Sequence, residues 1–545
     1  MTFRNHAARL AQRRLNLAQF QPVEFTCPLG WAASGAWTPA AIANAWNATN
    51  ISHNSMNGSL KAIRPLQCKR SADRFFMYAE AGQPDRLADD LRKVSATELV
   101  SLPIWDFFKE CSAQRVSSIS SCSTVSKSQQ SAHQPPYHYY TARVADILEA
   151  PPPGWETHVL DTFPDRRGTN MPPTQLGYCS VWLGGVGSAT QAHYDVMHNV
   201  FVQAHGFKRF RLWPPSAHVA MAVFPDAHPR ARKSRLDFEA IDKVEITSAD
   251  GVANPSLEVL QEDDRLEVST TALPPLLPPS LDIVLGPGQA LYIPPFWFHH
   301  VEVVPQPKGG ENGIHIEPST SSSSTAVVNS VSDPCVDDGV SVSLNVFSQA
   351  RLTAAVSAVL ARPPPPLMQG LPLHSRGSHD NNSSTSGGEG RVSSGGLAFA
   401  RLARRLGSEL GLGSHFARTV LLSRYREPGA VHDFPADPSP FSSWEGAVDG
   451  DADGSATDAA GVQAEAWALE TANALRHAVH SAEAVDGGAS SSDQSSLPES
   501  FNNEQQRDYF EGVVSICAAH ILEATALRAF GAVNVEKALT AAEIL

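Results

Sequence analysis

The stretch from Tyr137 to Val304 constrains the fold most, because its apolar residues come in short runs rich in β-branched and aromatic side chains. The runs end in glycine or proline turn signals, as in LGPGQALYIPPFWFHHVEVV at 285–304. Short strands that alternate with such turns are typical of closed or two-layered antiparallel structures. The segment therefore predicts an all-β barrel or sandwich.

Segments of low complexity divide the 545-residue chain on both sides of this stretch. They are rich in Ser, Gln, Gly or Pro and offer little to bury, which favours disorder or linkers. The predicted layout is a basic N-terminal segment (1–21), an α/β part (22–111), a disordered Ser-rich insertion (112–136), a barrel (137–350) with a low-complexity insertion (305–339), a linker (351–395), a helix pair (396–426), an acidic linker (427–460) and a helical C-terminal region (461–545).

Charge and cysteine content bound the partners and the compartment. The net charge is −14, yet residues 1–303 carry 27 Lys+Arg against 28 Asp+Glu, so the acidity belongs to the remainder. A nucleic-acid partner for the front part is therefore not excluded. The seven cysteines form no CxxC pair, which indicates a reducing intracellular compartment, cytoplasm or nucleus, and argues against a zinc finger.

Membrane and targeting segments are weighed from the same sequence. No run of eighteen apolar residues is present, so no membrane partner is expected. The first 22 residues contain four arginines and no acid, a pattern of a mitochondrial presequence or of a basic helix. We favour the basic helix.

The stretch QAHYDVMHN, residues 191–199, holds two histidines and an aspartate. If it is one strand, its period of two places His193, Asp195, Asn199 and Phe201 on one face and His198 on the other. A histidine and a carboxylate on one face are two of the three ligands of a 2-His-1-carboxylate Fe(II) site. The alternative is a hydrogen-bonded structural His–Asp pair.

A third ligand must come from another strand, and IPPFWFHHVEV at 293–303 offers two candidates. His299 and His300 are adjacent, so they face opposite sides of that strand. The periodicity does not decide between them.

A lysine follows shortly after the first histidine, in FKRFRLWPP. Lys208 shares its predicted inward face with Phe210 and Leu212, where a cation is costly unless an anion pairs with it. A dicarboxylic cosubstrate would supply that anion. The alternative is a lysine that extends to solvent from a strand end.

Several separated motifs together resemble the JmjC/cupin-like 2-oxoglutarate oxygenases. They are TQAHYDVMHNVFVQAHGFKRFRLWPP (190–215), GPGQALYIPPFWFHHVEV and SLNVF, in the family's order. The similarity covers about 137–347, and more weakly 22–111. It is nearest to the small hydroxylase branch, which includes the asparaginyl hydroxylase that inhibits hypoxia-inducible factor and the tRNA wybutosine-synthesising hydroxylase.

The resemblance implies a double-stranded β-helix (jelly-roll, cupin/JmjC) barrel, mainly β, with flanking helices and a helical C-terminal extension. It implies Fe(II) as the metal, 2-oxoglutarate as cosubstrate and O2 as oxidant. The metal ligands that it implies are His193, Asp195 and His299, since the family's distal ligand is the first histidine after the aromatic pair.

The resemblance also assigns residues to the cosubstrate pocket. Lys208 would pair with the far carboxylate of 2-oxoglutarate. A tyrosine in PPYHYYTAR would direct its hydroxyl at the cosubstrate; Tyr140 is the match and Tyr139 the alternative. The remaining lining positions are Thr190, Asn199, Asn345 and, as an apolar wall, Phe201.

The activity implied is hydroxylation of a protein side chain, coupled to decarboxylation of 2-oxoglutarate to succinate and CO2. Hydroxylation of a modified tRNA base is the alternative; histone lysine demethylation or a non-catalytic binding role ranks lower. The basic cluster HPRARKSR (228–235) would clamp phosphate if RNA is the substrate, or else is a solvated loop. The partner is therefore a protein or tRNA.

The helix pair at 396–426 is similar to the terminal helices through which the asparaginyl hydroxylase dimerises. Its periodicity places Leu402, Leu406 and Leu410 on one helical face. A homodimer through this pair is one expectation. The other is a helical hairpin packed on its own chain.

Overall fold

The computed structural model describes residues 20–26, 37–52, 65–72, 74–76, 97–120, 136–144, 179–226, 230–236, 238, 278–307, 339–348, 351–363, 394–413, 416–417, 420, 424, 454–486 and 503–530. Most of the predicted basic segment 1–21 lies outside these ranges, as do most of the insertion 305–339 and residues 427–453 of the acidic linker.

The chain divides into two units. Unit 1 comprises Met1–Trp213, Pro279–Thr353 and Asp486–Glu499, and unit 2 comprises Pro214–Pro278, Ala354–Val485 and Ser500–Leu545. Of the range 137–350 predicted as the barrel, the described residues at 214–226 and 230–236 fall in unit 2. The predicted domain layout stays a prediction.

The twelve strands of the described residues all lie in unit 1. They are β1 (Val23–Thr26), β2 (Leu66–Ser71), β3 (Glu98–Leu102), β4 (Tyr137–Arg143), β5 (Cys179–Gly185), β6 (Ala189–Tyr194), β7 (His198–His205), β8 (Phe207–Trp213), β9 (Leu281–Leu285), β10 (Gln289–Ile293), β11 (Phe298–Val304) and β12 (Val340–Ser348).

The helices of the described residues flank and follow these strands. They are α1 (Pro39–Ser52), α2 (Ile104–Ser120), α3 (Arg351–Leu360), α4 (Ser394–Glu409), α5 (Gly454–Asp486), α6 (Asn503–Phe530) and a short 3-10 helix at Pro215–His218. Local sequence explains where helix α1 begins: Pro39 is its first residue, and the Thr38 hydroxyl accepts a hydrogen bond from Ala41 N–H at 3.2 Å.

Two antiparallel sheets form the barrel of unit 1. The larger has the order β1-β10-β7-β12-β5-β4-β2-β3, and the smaller has the order β6-β11-β8-β9. Consecutive strands alternate between the sheets at several points, as in a jelly roll. The predicted double-stranded β-helix with flanking helices is therefore confirmed.

One face of the larger sheet is covered by helices. Val200 and Val202 of β7 and Leu344 of β12 belong to a buried apolar cluster that includes Trp46 of α1 and Phe107 of α2. Because side chains alternate along a strand, Asn199, Phe201 and Gln203 point the other way. That second face meets the smaller sheet, where the Phe201 and Phe210 rings lie 4.7 Å apart.

Three helices lie partly or wholly in segments that were predicted to be disordered or to be linkers. Helix α2 runs to Ser120, so residues 112–120 are helical and not disordered as predicted. Helix α3 lies inside the predicted linker 351–395, and α5 begins at Gly454 inside the predicted acidic linker. Residues 121–135 of the Ser-rich insertion lie outside the described residues.

Unit 2 is built around helix α6. The helix approaches the 3-10 helix closely at Gly512, where a Cβ atom would overlap Ser216 N. A buried ion network holds its middle: the Arg424 guanidinium donates to Asp226 Oδ1 and Glu523 Oε2, both at 3.0 Å. Burial raises the pKa of Glu523 to about 8.

By length and composition alone, α6 is a candidate for crossing a membrane, with a mean hydropathy of 1.5 in its most apolar window. However, 61% of that window is buried inside the protein, and core helices of globular proteins pass the same test. The expectation of no membrane partner stays a prediction.

Helix α4 presents its predicted apolar face to its own unit. Leu402 and Leu406 are fully buried, and the Phe399 ring packs edge-on against Phe530 of α6 at 5.8 Å. This packing favours the hairpin alternative for residues 396–426. The homodimer through this pair stays a prediction.

The basic cluster of the sequence lies on a hairpin of unit 2. Phe224 N–H donates to Lys233 O at 2.9 Å, and the Arg230 guanidinium lies 5.4 Å from the Phe224 ring centroid. Arg232 is exposed and has a φ of 69°, in the left-handed region. That the basic cluster binds phosphate stays a prediction.

Candidate metal centre and cosubstrate pocket

The periodicity of the stretch around His193 and Asp195 predicted one strand, but the structure has two. Strand β6 ends at Tyr194 in the smaller sheet, residues 195–197 form a turn, and β7 begins at His198 in the larger sheet. The turn contains neither glycine nor proline, so the sequence has no strong strand-breaking residue there. His193 and Asp195 nevertheless stay together, because the turn follows directly after the strand.

The two histidines of this stretch point in different directions, as the sequence predicted. His198 is fully buried, and its Nδ1 lies 2.7 Å from the Tyr292 hydroxyl, with the Phe20 ring stacked on it. His193 instead approaches His299, with ring centroids 4.2 Å apart.

The register of the smaller sheet distinguishes His299 from His300. His299 lies opposite His193, while His300 lies opposite Arg211 of β8 and packs edge-on against Phe75. Residues that pair directly across antiparallel strands share a face. His299 therefore faces the barrel interior with His193, and His300 faces the outside of this sheet.

His193, Asp195 and His299 form a group that could hold a metal ion. One ligand atom from each lies within 4.8 Å of the others, and His299 Nε2 is 3.7 Å from Asp195 Oδ2. His299 is buried, while the other two are partly buried. Two imidazoles and one carboxylate on one side of an ion are the facial triad of non-haem Fe(II) sites, which leaves positions open.

Backbone carbonyls set the tautomer of both neutral imidazoles. His193 Nδ1 lies 2.9 Å from Gln191 O, and His299 Nδ1 lies 3.1 Å from Trp297 O. A carbonyl oxygen only accepts, so each Nδ1 carries the proton and each Nε2 keeps a lone pair. This is the arrangement that orients histidine ligands in metal sites, so the residues present fit a metal ion.

Lys208 lies inside the same barrel with 2% of its surface exposed. Its Nζ donates to Ser343 Oγ at 2.8 Å and sits 5.2 Å from the Phe201 ring centroid. Burial lowers the pKa of Lys208 to about 7. Among the described residues no carboxylate pairs with its ammonium, so the pocket suits an anionic group of a ligand.

For the pocket face, the structure favours the alternative tyrosine, Tyr139, over Tyr140. Tyr140 points into the apolar cluster beneath the larger sheet, where it packs edge-on against Trp46 at 6.2 Å. Tyr139, its neighbour, points to the opposite face, where Lys208 Nζ lies 5.9 Å from its ring centroid. Alternation along β4 allows only one of the two tyrosines on the pocket face, and it is Tyr139.

The remaining pocket residues lie on the interior face. Asn199 is buried, and its Oδ1 has no hydrogen-bond partner among the described residues. Asn345 Oδ1 accepts from Trp182 Nε1 at 2.7 Å. Thr190 lies opposite Val301, and a register shift separates this pair from the pair of His299 and His193. Because of the shift, Thr190 lies on the same face as His193.

Residues that the sequence analysis did not assign complete the pocket. Ser343 holds Lys208, and Trp182 holds Asn345. Gly184 lies under Tyr139, where a Cβ atom would lie 2.9 Å from the ring. The alternation of VSVSLNVF already places Ser343 on the face of Asn345, so that signal was present, while nothing local marks Gly184 or Trp182.

Comparison with protein families gives a match over more than half of the chain. A family model described as a cupin-like domain matches residues 30–348. The matched range contains the whole triad and Lys208.

Curated proteins similar to this chain match about a quarter of it at low identity. Lysine-specific demethylase JMJ31 of Arabidopsis thaliana is 28% identical over 134 residues, covering 25% of this chain and 20% of that protein. The tRNA wybutosine-synthesizing protein 4 of Gibberella zeae is 32% identical over 126 residues, covering 23% and 8%. Human HSPB1-associated protein 1 is 25% identical over 143 residues, covering 26% and 22%. The chain thus spans less than a quarter of the length of each of these three relatives.

Proposed function

The chain belongs to the cupin-like domain family, and on that premise we propose that it is an Fe(II)- and 2-oxoglutarate-dependent oxygenase that hydroxylates a protein side chain. The observation that carries the proposal is the convergence of His193, Asp195 and His299 in a barrel that also buries Lys208, which has no carboxylate partner among the described residues. A metal triad alone fits many metalloproteins. A triad with a buried cation fits an anionic cosubstrate that binds at the metal.

The ligand set favours Fe(II) among the common metals. His193, Asp195 and His299 would hold Fe(II) through two imidazole nitrogens and one carboxylate oxygen, a ligand set that would leave room at the metal for a cosubstrate and O2. Bound there, Fe(II) and 2-oxoglutarate would supply the oxidative decarboxylation to succinate and CO2 that delivers one oxygen atom of O2 to a substrate C–H bond.

The residues of the chain bind and orient the reactants. The ammonium of Lys208 pairs with the far carboxylate of the cosubstrate, and Ser343 keeps the lysine side chain in place. The rings of Phe201 and Tyr139 flank the ammonium, which excludes water and strengthens that ion pair. Asn199 offers a buried amide on the same face.

A protein side chain is the favoured substrate. One of the three relatives described above is named as a lysine-specific demethylase, and removal of an N-methyl group begins with hydroxylation of its carbon. The same site chemistry therefore serves hydroxylation of a side-chain carbon or of an N-methyl carbon. Demethylation is the variant of this proposal in which the hydroxylated product loses formaldehyde.

A modified tRNA base is the second candidate. The relative named as a tRNA wybutosine-synthesizing protein is 32% identical over its matched region, higher than the other two relatives described above. If tRNA is the substrate, neutralising Arg230, Arg232 and Lys233 is expected to weaken RNA binding and flatten its salt dependence.

The activity test measures succinate formed from 2-oxoglutarate with Fe(II), and it has a matched pair of variants. His299 and His300 are adjacent and similarly buried, so their alanine variants remove similar volume. We expect His299→Ala to abolish Fe(II)-dependent succinate formation and His300→Ala to retain it. Loss in His300→Ala alone would overturn the ligand assignment.

The substrate test incubates the Fe(II)-loaded chain separately with cell-lysate proteins and with bulk tRNA. Mass spectrometry of the products then shows which pool gains one oxygen atom or loses a methyl group. Oxygen gain in protein supports the first candidate, and oxygen gain in tRNA supports the second. A wild-type chain that forms no succinate with either pool would count against the oxygenase proposal itself.

A further inference from the structure

Phe296 has a backbone conformation that phenylalanine rarely adopts. Its φ is 64°, in the left-handed region, and the residue is 2% exposed. A bulky residue with positive φ is an outlier that persists only where the surroundings over-determine it. Such residues concentrate at functional sites. The contacts of Phe296 show which segments its strained conformation connects.

The main-chain N–H of Phe296 donates to the carbonyl oxygen of Asp195 at 2.6 Å. Asp195 lies in the turn after β6, and Phe296 lies three residues before His299. This hydrogen bond thus joins the segment that carries the carboxylate ligand to the segment that carries the distal histidine. The left-handed φ of residue 296 sets the direction of this N–H relative to the chain that continues to His299.

The aromatic ring of Phe296 fixes the same junction. It stacks on Tyr194, with ring centroids 6.0 Å apart and an interplanar angle of 25°. Tyr194 lies between His193 and Asp195 in the sequence and meets Phe298 edge-on at 5.1 Å. The ring therefore resists rotation of residue 296 out of its strained conformation.

A second hydrogen bond fixes the turn that contains Asp195, at the following residue, Val196. The Thr353 hydroxyl donates to Val196 O, and Thr353 is buried. With the carbonyls of Asp195 and Val196 both bonded to other segments, the turn has little freedom to move the carboxylate. The bond from Phe296 is the one that comes from a ligand-bearing segment.

We propose that Phe296 is a positioning residue for the metal centre: its left-handed backbone holds Asp195 at a set distance from His299. The proposal rests on the proposed metal-dependent function. It assigns the effect to the backbone of residue 296, not to apolar packing alone. A ligand that keeps its place before the ion arrives needs no ordering when it binds, which raises metal affinity.

Two substitutions separate backbone from packing. Asn tolerates the left-handed region but has no ring, whereas the β-branched Val is apolar but is strongly disfavoured there. If the backbone conformation positions Asp195, Phe296→Asn keeps the Co(II) affinity of the wild-type chain. Phe296→Val weakens it by about 10- to 100-fold, the range for losing a residue that orients a ligand.

The experiment is a calorimetric titration of the full chain with Co(II), with circular dichroism melting of each variant as a check on folding. Equal losses in the Asn and Val variants, or no loss in either, would overturn the backbone role of Phe296. Should the Val variant not fold, Phe296→Ala takes its place: a Co(II) affinity below that of the Asn variant supports the proposal, and equality overturns it.

The outcome for the wild-type chain keeps the two proposals apart. Wild-type binding of Co(II) that is lost in His193→Ala supports the metal centre whatever the Phe296 variants do. If the wild-type chain binds no Co(II), the metal centre fails and the positioning role of Phe296 fails with it.

Discussion

Lys208 is an ammonium in an apolar enclosure, and the described residues give it one hydroxyl partner and two aromatic rings. A buried cation without a counter-charge is retained where function needs it, since an apolar residue would be more stable there. The cosubstrate carboxylate supplies the missing charge in the proposed reaction.

Replacing Lys208 by methionine tests that pairing. We expect Lys208→Met to weaken 2-oxoglutarate binding by about 30-fold or more, the cost of losing one partner of a buried charge pair. Calorimetric titration of the metal-loaded chain measures it, and Lys109→Met, on the exposed face of α2, is the control. An unchanged affinity in Lys208→Met would contradict the assigned role.

The pKa of Lys208 makes stability depend on pH in a defined window. Burial lowers its pKa from 10.5 to about 7, so between these values the unfolded chain binds the proton and the folded chain does not. Where the unfolded state binds more protons, the free energy of unfolding rises with pH. The cost of burying the charge is thus full below pH 7 and is relieved as the pH rises toward 10.5.

The measurement is urea unfolding of the ligand-free chain at several pH values from 7 upward. We expect the wild-type stability to rise relative to that of Lys208→Met, because other titrating groups are common to both. A constant difference across that window would contradict the buried, charge-destabilised lysine.

At the scale of elements, β4 and β5 place Tyr139 over Gly184, which has no side chain to fill that space. A methyl group at Gly184 would lie 2.9 Å from the Tyr139 ring, so the ring must move from its position near Lys208. We expect Gly184→Ala to weaken 2-oxoglutarate binding and to be rescued in part by Tyr139→Leu. Equal affinities of wild type and Gly184→Ala would show that the ring position is unimportant.

Much of the site follows from the period of two along β7 and β12. That period separates His198 from Asn199 and Phe201, and it would have placed Ser343 beside Asn345. Each of these assignments requires only that the segment is one uninterrupted strand with one apolar face, because side chains then alternate between the two faces. The identity of His299 came from resemblance, since adjacent histidines are equivalent until a sheet register defines the inside.

Three features of the site are not encoded in the local pattern, for physical reasons of the same kind. Tyr139 and Tyr140 are neighbours in a fully buried part of β4, so neither hydropathy nor size distinguishes the pocket face from the core face. The break after Tyr194 contains no glycine or proline, and the bulge that returns Thr190 to the interior depends on pairing with β11. Pairing between distant segments is not encoded locally.

Helix α6 depends on a small residue at one contact. Gly512 meets the backbone of the 3-10 helix so closely that a Cβ atom would overlap Ser216 N. We expect Gly512→Ala to destabilise unit 2 by about 1–3 kcal/mol, the usual cost of overpacking. Urea unfolding of the full chain measures it, with Gln505→Ala, at an exposed position of the same helix, as control. Equal stability of the two variants would contradict the contact.

At the scale of the whole molecule, unit 1 collects its site from both sheets of one barrel. The smaller sheet supplies His193, His299 and Lys208, while the larger supplies Asn199 and Ser343. The site therefore exists only when the two sheets are packed. Binding at the site should consequently stabilise the folded chain as a whole against the unfolded one.

Metal removal tests this coupling. A ligand that binds only the folded state adds about 2.7 kcal/mol at a concentration one hundred times its dissociation constant. We expect Co(II) to raise the unfolding temperature of the wild-type chain, a chelator to reverse the shift, and His193→Ala to show neither effect. His198→Ala removes an imidazole outside the triad and should keep the shift. A Co(II) shift of equal size in His193→Ala would place the stabilising ion elsewhere in the chain, whereas its loss in that variant alone would tie the stability of the barrel to its triad.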